Sequence, residues 1–533
     1  MAHTTLFYWL QRAIASAQSS QAEALPSPNS PHSSTLSRRQ MLRCSTLAVG
    51  AAVVQSTLQL DLRPKPAPRI AVVGGGIAGL NAAYHLQKLG LKATVYEAKP
   101  HVGGRIQSRQ GLIVPGLIND LGGAFINSEH HDMLALVEEL GLTLFDRRTL
   151  TGALPFPEAA FYFGGRTIGE AELIEAILPL AEQIGEDVGR LTEDFDRYAP
   201  GFDALSVADY LDLHREKIQQ RYVRSLIEAT IRTEYGVEAD QSSALQLLYN
   251  LPGVRNHRAE LLCADEVFMV KGGSGLIPQA LAAKLEGQIC TGWRLRAIHS
   301  QESGYRLSFD KGMVDADYVV LAAAFPALRR VDLRVDLPVG LRQFIQAGNP
   351  GRNEKLFAGF TTRPWHQAQG FTGGAWSDLG YSGLWEDTQR QPELPQGVLT
   401  FFMGGREVQQ ARGDVADQGR RFVAQTSRYL TDLSTAAGHR YTRTHWGEDP
   451  DFGGGYTSFR PGQYLKFKEF MYVEGDNAAR QTVQAGNLVF AGEQFSDEYY
   501  GYMNGAAQTG RLAAGVIAES LQGQPFGETS SLI

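Results

Sequence analysis

Cysteine is nearly missing from this chain. Cys44, Cys263 and Cys290 are the only three in 533 residues. They are too few and too scattered for a disulfide framework, and no Cys/His spacing of the zinc type occurs, so no metal site is expected. Buried thiols are the plain reading. A basic excess is missing as well. Fifty Lys and Arg stand against 57 Asp and Glu, a formal net charge of -7. That balance argues against a nucleic-acid partner, because phosphate binding needs a basic face. Beyond the N-terminal arm no segment is long and apolar enough to span a bilayer. Glycine, in contrast, is abundant: 58 residues, against a usual share of ~7%. The length suggests two or three domains.

Residues 1–66 read as an arm outside the fold. Its Ser/Pro-rich stretch, 18–36, has the composition of a disordered segment. SRRQMLR (Ser37 to Arg43) follows, then the apolar run CSTLAVGAAVV and the breaker RPKPAP. Twin arginines before a short apolar run resemble a Tat export signal, with Met41 where the usual motif has Phe. The run falls short of the ~20 residues that span a bilayer. Export to the periplasm or beyond, with the cofactor already bound, is the expectation. A plain basic arm on a cytoplasmic protein is the alternative.

The fold begins at Arg69 to Val73 (RIAVV), a strand pattern that runs straight into GGGIAGL. Gly74, Gly76 and Gly79, with Ala78 among them, satisfy G-x-G-x-x-G. A helical pattern stopping at Gly90 follows, and then a second strand ending on Glu97. The first glycine permits the tight turn, the second lets backbone approach a pyrophosphate, and the third lets helix pack on strand. The phosphate sits on the helix N-terminus, and Glu97, at about the ~20-residue spacing required, takes the ribose hydroxyls. Together these specify a dinucleotide site.

The next piece, EAKPHVGGR, resembles the flavin amine oxidase superfamily, in which a glycine pair and an arginine hold the FAD pyrophosphate. These are Gly103, Gly104 and Arg105 here. The C-terminal GNLVFAGEQFSDEYYGYMNGAAQTG resembles the flavin segment of monoamine and L-amino-acid oxidases. By that likeness Gly492 and Glu493 contact the ribityl–phosphate region, and a helix opening near Tyr502 points its positive end at the flavin ring. The carried-over contacts are Gly501, Tyr502, Met503, Asn504 and Ala506. TGWRLRAI matches the strand that offers backbone to adenine, at Leu295. In DLGGAFINSEH, which has no Lys or Arg, Gly122 and Gly123 are expected to lie bare against the flavin, with Ala124 and Phe125 continuing under the ring. The resemblance implies an α/β fold, an FAD-binding Rossmann-like domain with an interleaved substrate domain of mixed sheet and helices.

The same resemblance assigns the reacting end. GGGYTSF aligns with the segment that bears a covalent-flavin cysteine in monoamine oxidases. That position is Gly455 here, so the FAD is expected to be non-covalent. Tyr456 and Tyr502 match the pair that sandwiches the substrate amine. Lys355, in NEKLFAGF, falls where the superfamily keeps a lysine bound through water to the flavin, and Trp365 matches a packing aromatic on the substrate side. Phe125 occupies the place where many L-amino-acid oxidases carry a carboxylate-binding arginine. Arg460 is a candidate to replace it, and Asp497 and Glu498 would suit a basic group on the substrate. No catalytic triad or carboxylate pair is needed.

The expected organisation is an FAD domain from 67–155, 265–330 and 480–520, and a substrate domain from 156–264 and 331–479 with a helical subdomain at 170–250. The leading function is oxidation of a primary amine, the imine hydrolysing to a carbonyl compound and ammonia. Oxygen, giving peroxide, or a quinone takes the electrons. An L-amino-acid oxidase or dehydrogenase is the alternative, followed by a desaturase of the same superfamily or a non-catalytic FAD-binding protein. The small-molecule partner is therefore an amine or amino acid. The oligomeric state stays open, a homodimer included.

Overall fold

The computed structural model describes residues 67–250, 253–255, 258–260, 264–411, 413–475 and 480–522. The twin-arginine segment and the arm around it lie outside the described residues, as do Cys44 and Cys263. Cys290 is a half-buried free thiol. No helix among the described residues is long and apolar enough to cross a membrane.

IAVV (Ile70–Val73), YVVL (Tyr318–Leu321) and LVF (Leu488–Phe490) are apolar without alternation, the mark of strands covered on both faces. They assemble into one sheet. Ile70–Val73 pairs in parallel with Ala93–Glu97 on one side and Tyr318–Leu321 on the other. Ile289–Thr291 extends the first side and Leu488–Phe490 the second, and Gln484–Ala485 closes an antiparallel edge. The helix Ile77–Lys88 crosses between the first two strands, with Met503–Gln522 against it. Asn81 Nδ2 donates to the Ala507 carbonyl at 2.7 Å. A Cβ on Gly510 would stand 2.3 Å from the Ala78 carbonyl oxygen, so only glycine lets the two helices approach this closely.

Beside this half, Leu295–Ser300, Tyr305–Phe309 and Gly312–Ala316 form an antiparallel sheet. The sheet also takes Asp332–Arg334, just past the boundary expected at 331. The other half is built on seven strands, in the order 437–443, 353–360, 397–404, 383–386, 374–377, 159–163 and 166–168. Asn353–Phe360 is buried at every position, which encloses Lys355. Helices Glu170–Glu193, Phe195–Ala204, Val207–Leu213, Arg221–Tyr235 and Ala244–Asn250 form the helical part. Arg221–Tyr235 stops at Gly236, whose φ of +63° makes it a left-handed C-cap.

Candidate active site

A cavity of about 540 Å³ runs between the two halves. Its wall includes Gly74, Gly76, Ala78, Glu97, Gly104, Arg105, Gly122 to Phe125, Leu295, Lys355, Tyr456, Gly492, Glu493, Gly501 to Met503 and Ala506. Segments far apart in sequence thus converge on one cavity. Gly79, Trp365 and Asn504 do not line it.

Each of those three has a packing role instead. A Cβ on Gly79 would lie 2.0 Å from the Gly74 carbonyl oxygen, so this glycine serves helix–strand packing. Asn504 accepts a hydrogen bond from the Met133 backbone N–H at 3.0 Å, tying the last helix to His131–Glu139. Trp365, expected to meet substrate, is a core residue with no exposure. Its indole donates to Glu386 at 2.9 Å and packs edge-on to Phe360. Arg460 is exposed at the surface and off the cavity, and so cannot grip a substrate carboxylate there.

Gly74, at φ +112°, makes the turn in a conformation that side chains resist. Its Cβ would also meet the Ala322 carbonyl oxygen at 2.4 Å. Gly76 differs. The nearest atom to its absent Cβ is the Gly104 Cα at 4.0 Å, so its bareness answers to no protein neighbour. Open backbone at a helix N-terminus is what a pyrophosphate needs. Glu97 contributes to the shape of this loop. Its carboxylate accepts the Gly75 N–H at 2.6 Å and the Lys99 N–H at 2.7 Å.

Gly122 and Gly123 are bare for a reason the sequence does not show. A Cβ on Gly122 would fall 1.7 Å from the Arg105 carbonyl oxygen, and one on Gly123 would fall 2.6 Å from Met503 sulfur. Protein atoms fill the space first. Beneath this floor Lys355 Nζ donates to the carbonyls of Asp120 (2.9 Å) and Gly122 (2.7 Å). Asp120 is paired in turn with Arg390, both side chains having no exposure. Burial lowers the Lys355 pKa.

Arg105 Nη1 donates to the Gly455 carbonyl (2.7 Å) and to Glu493 (2.8 Å). Glu493 accepts the Gly501 N–H at 2.8 Å, which sets the approach to the last helix. Lys99, Arg105, Arg294, Arg296 and Arg330 line the end beside the glycine turn, against Glu97, Asp451 and Glu493. A basic majority suits phosphates. The glycine turn, the open Gly76 and this charge balance together fit FAD.

The other end is acidic. Glu158, Glu234, Asp265 and Glu266 line it against Arg147 and Lys355. Both expected tyrosines are there, and their hydroxyls reach consecutive residues of one helix end. Tyr456 donates to the Thr233 carbonyl and Tyr502 to the Glu234 carboxylate. Burial raises the Glu234 carboxyl to about 7. Asp497 and Glu498 border a second chamber of about 60 Å³ rather than this cavity, and Glu234 and Tyr502 are shared by both.

Sequence reasoning missed Arg147. Its guanidinium lies 4.3 Å over the Phe125 ring, and so the cavity does contain a cation where position 125 lacks one. It donates to Gln389 (2.7 Å), the Glu266 carbonyl (2.9 Å) and the Gly373 carbonyl (3.1 Å), with the Glu266 carboxylate at 3.6 Å. Glu266 is held at φ +43°, unusual for a side-chain-bearing residue. Burial moves the pKa of Arg147 down and that of Glu266 up. No local signal in FDRRTL or CADEVF marks either residue. Glu234 did carry one: an acid in the last turn of a helix opposes the dipole.

The sequence profile of the family described as flavin containing amine oxidoreductase matches residues 77–518. Among curated proteins, AofH of Mycobacterium tuberculosis, provisionally named a flavin-containing monoamine oxidase, is 27% identical, covering 85% of this chain and 97% of that protein. An L-amino acid dehydrogenase of Synechocystis is 23% identical, covering 84% and 94%. Cyclohexylamine oxidase from Brevibacterium oxydans shares the fold with a TM-score of 0.68 at 23% identity, covering 86% of this chain and all of that one.

Proposed function

Because the chain belongs to the flavin-containing amine oxidoreductase family, we propose that it holds FAD without a covalent bond and oxidises a primary amine at the carbon bearing nitrogen. The class, a flavin-dependent amine oxidoreductase, follows from the family; the substrate and mode of attachment are our reading. When bound, the flavin supplies the hydride-accepting ring. Gly74 to Gly79 and the N-terminus of Ile77–Lys88 would hold the pyrophosphate, with Glu97 toward the ribose and Leu295 toward adenine. Arg105, Glu493 and the start of Met503–Gln522 would hold the flavin side. Gly455 offers no side chain for a covalent link.

The tyrosine pair fixed from Thr233 and Glu234 carries the substrate reading. Two aromatic faces attract an amine and restrict its pose, and the acid majority around them draws in a cation. The L-amino-acid reading has the similarity to an L-amino acid dehydrogenase behind it. Its carboxylate would have to compete for Arg147, whose Nε, Nη1 and Nη2 already donate within the wall. That favours the amine. Dioxygen or a quinone takes the electrons, and export of the loaded enzyme by the twin-arginine route is part of the same proposal.

Anaerobic titration of the holoenzyme with primary amines and with L-amino acids separates the readings. Amines should bleach the flavin absorbance and amino acids should not. Bleaching by amino acids alone would move the assignment to the alternative, and bleaching by neither panel would end both. Acid precipitation should release the flavin into the supernatant, and admitting air or a quinone to the bleached enzyme identifies the acceptor.

A further inference from the structure

An amine reaches neutral water as an ammonium ion, which lacks the lone pair needed to expel hydride from the adjacent carbon. We propose that Glu234 takes this proton inside the cavity, the substrate N–H bond breaking as the Glu234 O–H bond forms. Neutral amine is then what lies beside Tyr456 and Tyr502. The inference rests on the amine-oxidation reading above.

Three observations converge on Glu234. Its carboxylate borders the cavity at the tyrosine pair and already accepts the Tyr502 hydroxyl. Among the described residues it forms no ion pair with Lys or Arg, whereas Glu266 faces Arg147 at 3.6 Å. It also backs onto the second chamber, where His130 Nε2 and Asn250 Nδ2 are buried without partners. At about 60 Å³ that chamber has room for a few waters, each needing ~10–15 Å³ and polar partners. The proton stays on Glu234 while the bound amine desolvates the carboxyl further, and it leaves by that side, away from the substrate, once the product has gone.

The groups around Glu234 support an acceptor active near neutrality. Burial raises its carboxyl to about 7, the negative charge of Glu266 adding to the effect and the Tyr502 bond opposing it. Tyr456 and Tyr500 face it as neutral phenols, their own pKa values raised by burial. Across the chamber stand Glu129, Asp497 and Glu498, the last raised by burial. His130 is pushed down to about 3 by burial and stays neutral, so it does not compete for the proton. Arg147 and Lys355 are the cations on the cavity side.

The test uses holoenzyme and an amine that bleaches the wild type. For Glu234→Gln, the second-order rate constant of flavin reduction should fall about tenfold or more at pH 7. The deficit should close toward pH 10, where solution supplies neutral amine, and Glu234→Asp should recover part of the loss. A deficit equal at every pH, as expected if Glu234 only positions Tyr502, overturns the proposal, and so does no deficit. Calorimetry with the α,α-dimethyl analogue of that amine, which has no hydrogen to lose, gives a second readout. In buffers of different ionisation enthalpy at pH 8.5, the wild type should exchange no proton on binding and Glu234→Gln should release about one. Equal stoichiometries overturn the proposal. If no amine bleaches the wild type, the amine-oxidation reading fails; if amines bleach it and both variant signatures are missing, only the role of Glu234 fails.

Discussion

The Lys355 ammonium is bonded to the Gly122 carbonyl at 2.7 Å, and Gly122 also lies against the Arg105 carbonyl, whose oxygen is 1.7 Å from where a Cβ would be. The cavity floor is thus clamped between a buried cation and a loop that pairs with Glu493. Lys355 has two carbonyl partners, and each loses its donor if the ammonium goes.

Lys355→Met should therefore destabilise the protein before any effect on chemistry is considered. Each buried carbonyl left unpaired costs roughly 1–3 kcal/mol. A lowered thermal midpoint and faster loss of flavin on gel filtration are expected. Unchanged values for both would show that the clamp contributes nothing.

Gly76 and Gly122 should respond differently to alanine. The Gly76 Cβ has no protein atom closer than 4.0 Å, so Gly76→Ala should give apoprotein with wild-type circular dichroism and thermal midpoint. Its FAD affinity should fall about tenfold or more, because the methyl enters space needed for close backbone approach. Gly122→Ala should fail to yield folded protein. Normal FAD binding by Gly76→Ala would remove this glycine from the pyrophosphate site.

Phe125→Arg tests whether position 125 alone decides between amines and amino acids. With Arg147 only 4.3 Å from the Phe125 ring centroid, a second guanidinium would meet like charge and the cation–π contact, ~0.5–2 kcal/mol, would be lost. Lower stability without bleaching by L-amino acids is the expected outcome. A gain of amino-acid reactivity would show that position 125 does decide, whatever Arg147 contributes.

Glu407 predicts a pH dependence of stability. Burial raises its carboxyl from 4.5 to about 7, while it accepts the Gly404 N–H and the Ser382 hydroxyl. The folded state holds the proton more tightly than the unfolded chain does. This stabilising contribution is fully present below pH 4.5 and is lost as pH rises through 7. Thermal midpoints should decline across that window, and Glu407→Gln should flatten the decline. An equally steep profile in the variant would locate the effect in other groups.

The nucleotide half was legible because its requirements are local and ordered: strand, glycine turn, helix, strand, acid. Glu97 ends its strand as the spacing predicts, and the bonds it makes are with the loop itself. The bareness of Gly122 was visible, but its cause was not, since the Arg105 carbonyl comes from a different turn of the chain. Trp365, carried over by resemblance as a substrate-side aromatic, packs in the core instead, because it lies past the end of the Lys355 strand and need not share its face. Arg147 and Glu266 were invisible for the opposite reason. They sit in ordinary-looking loops and gain meaning only when the fold brings them to Phe125.

The central sheet also dictates an order of events in the making of the protein. Its strand at residues 70–73 neighbours the one at 318–321, and that strand neighbours 488–490. A ribosome must therefore release everything from residue 70 to residue 490 before this sheet can close, and contacts so distant in sequence form slowly. The glycine turn emerges early yet waits for Ala322 at its back and the last helix at its side. FAD capture is consequently a late step, and a chain truncated before residue 488 should accumulate without flavin.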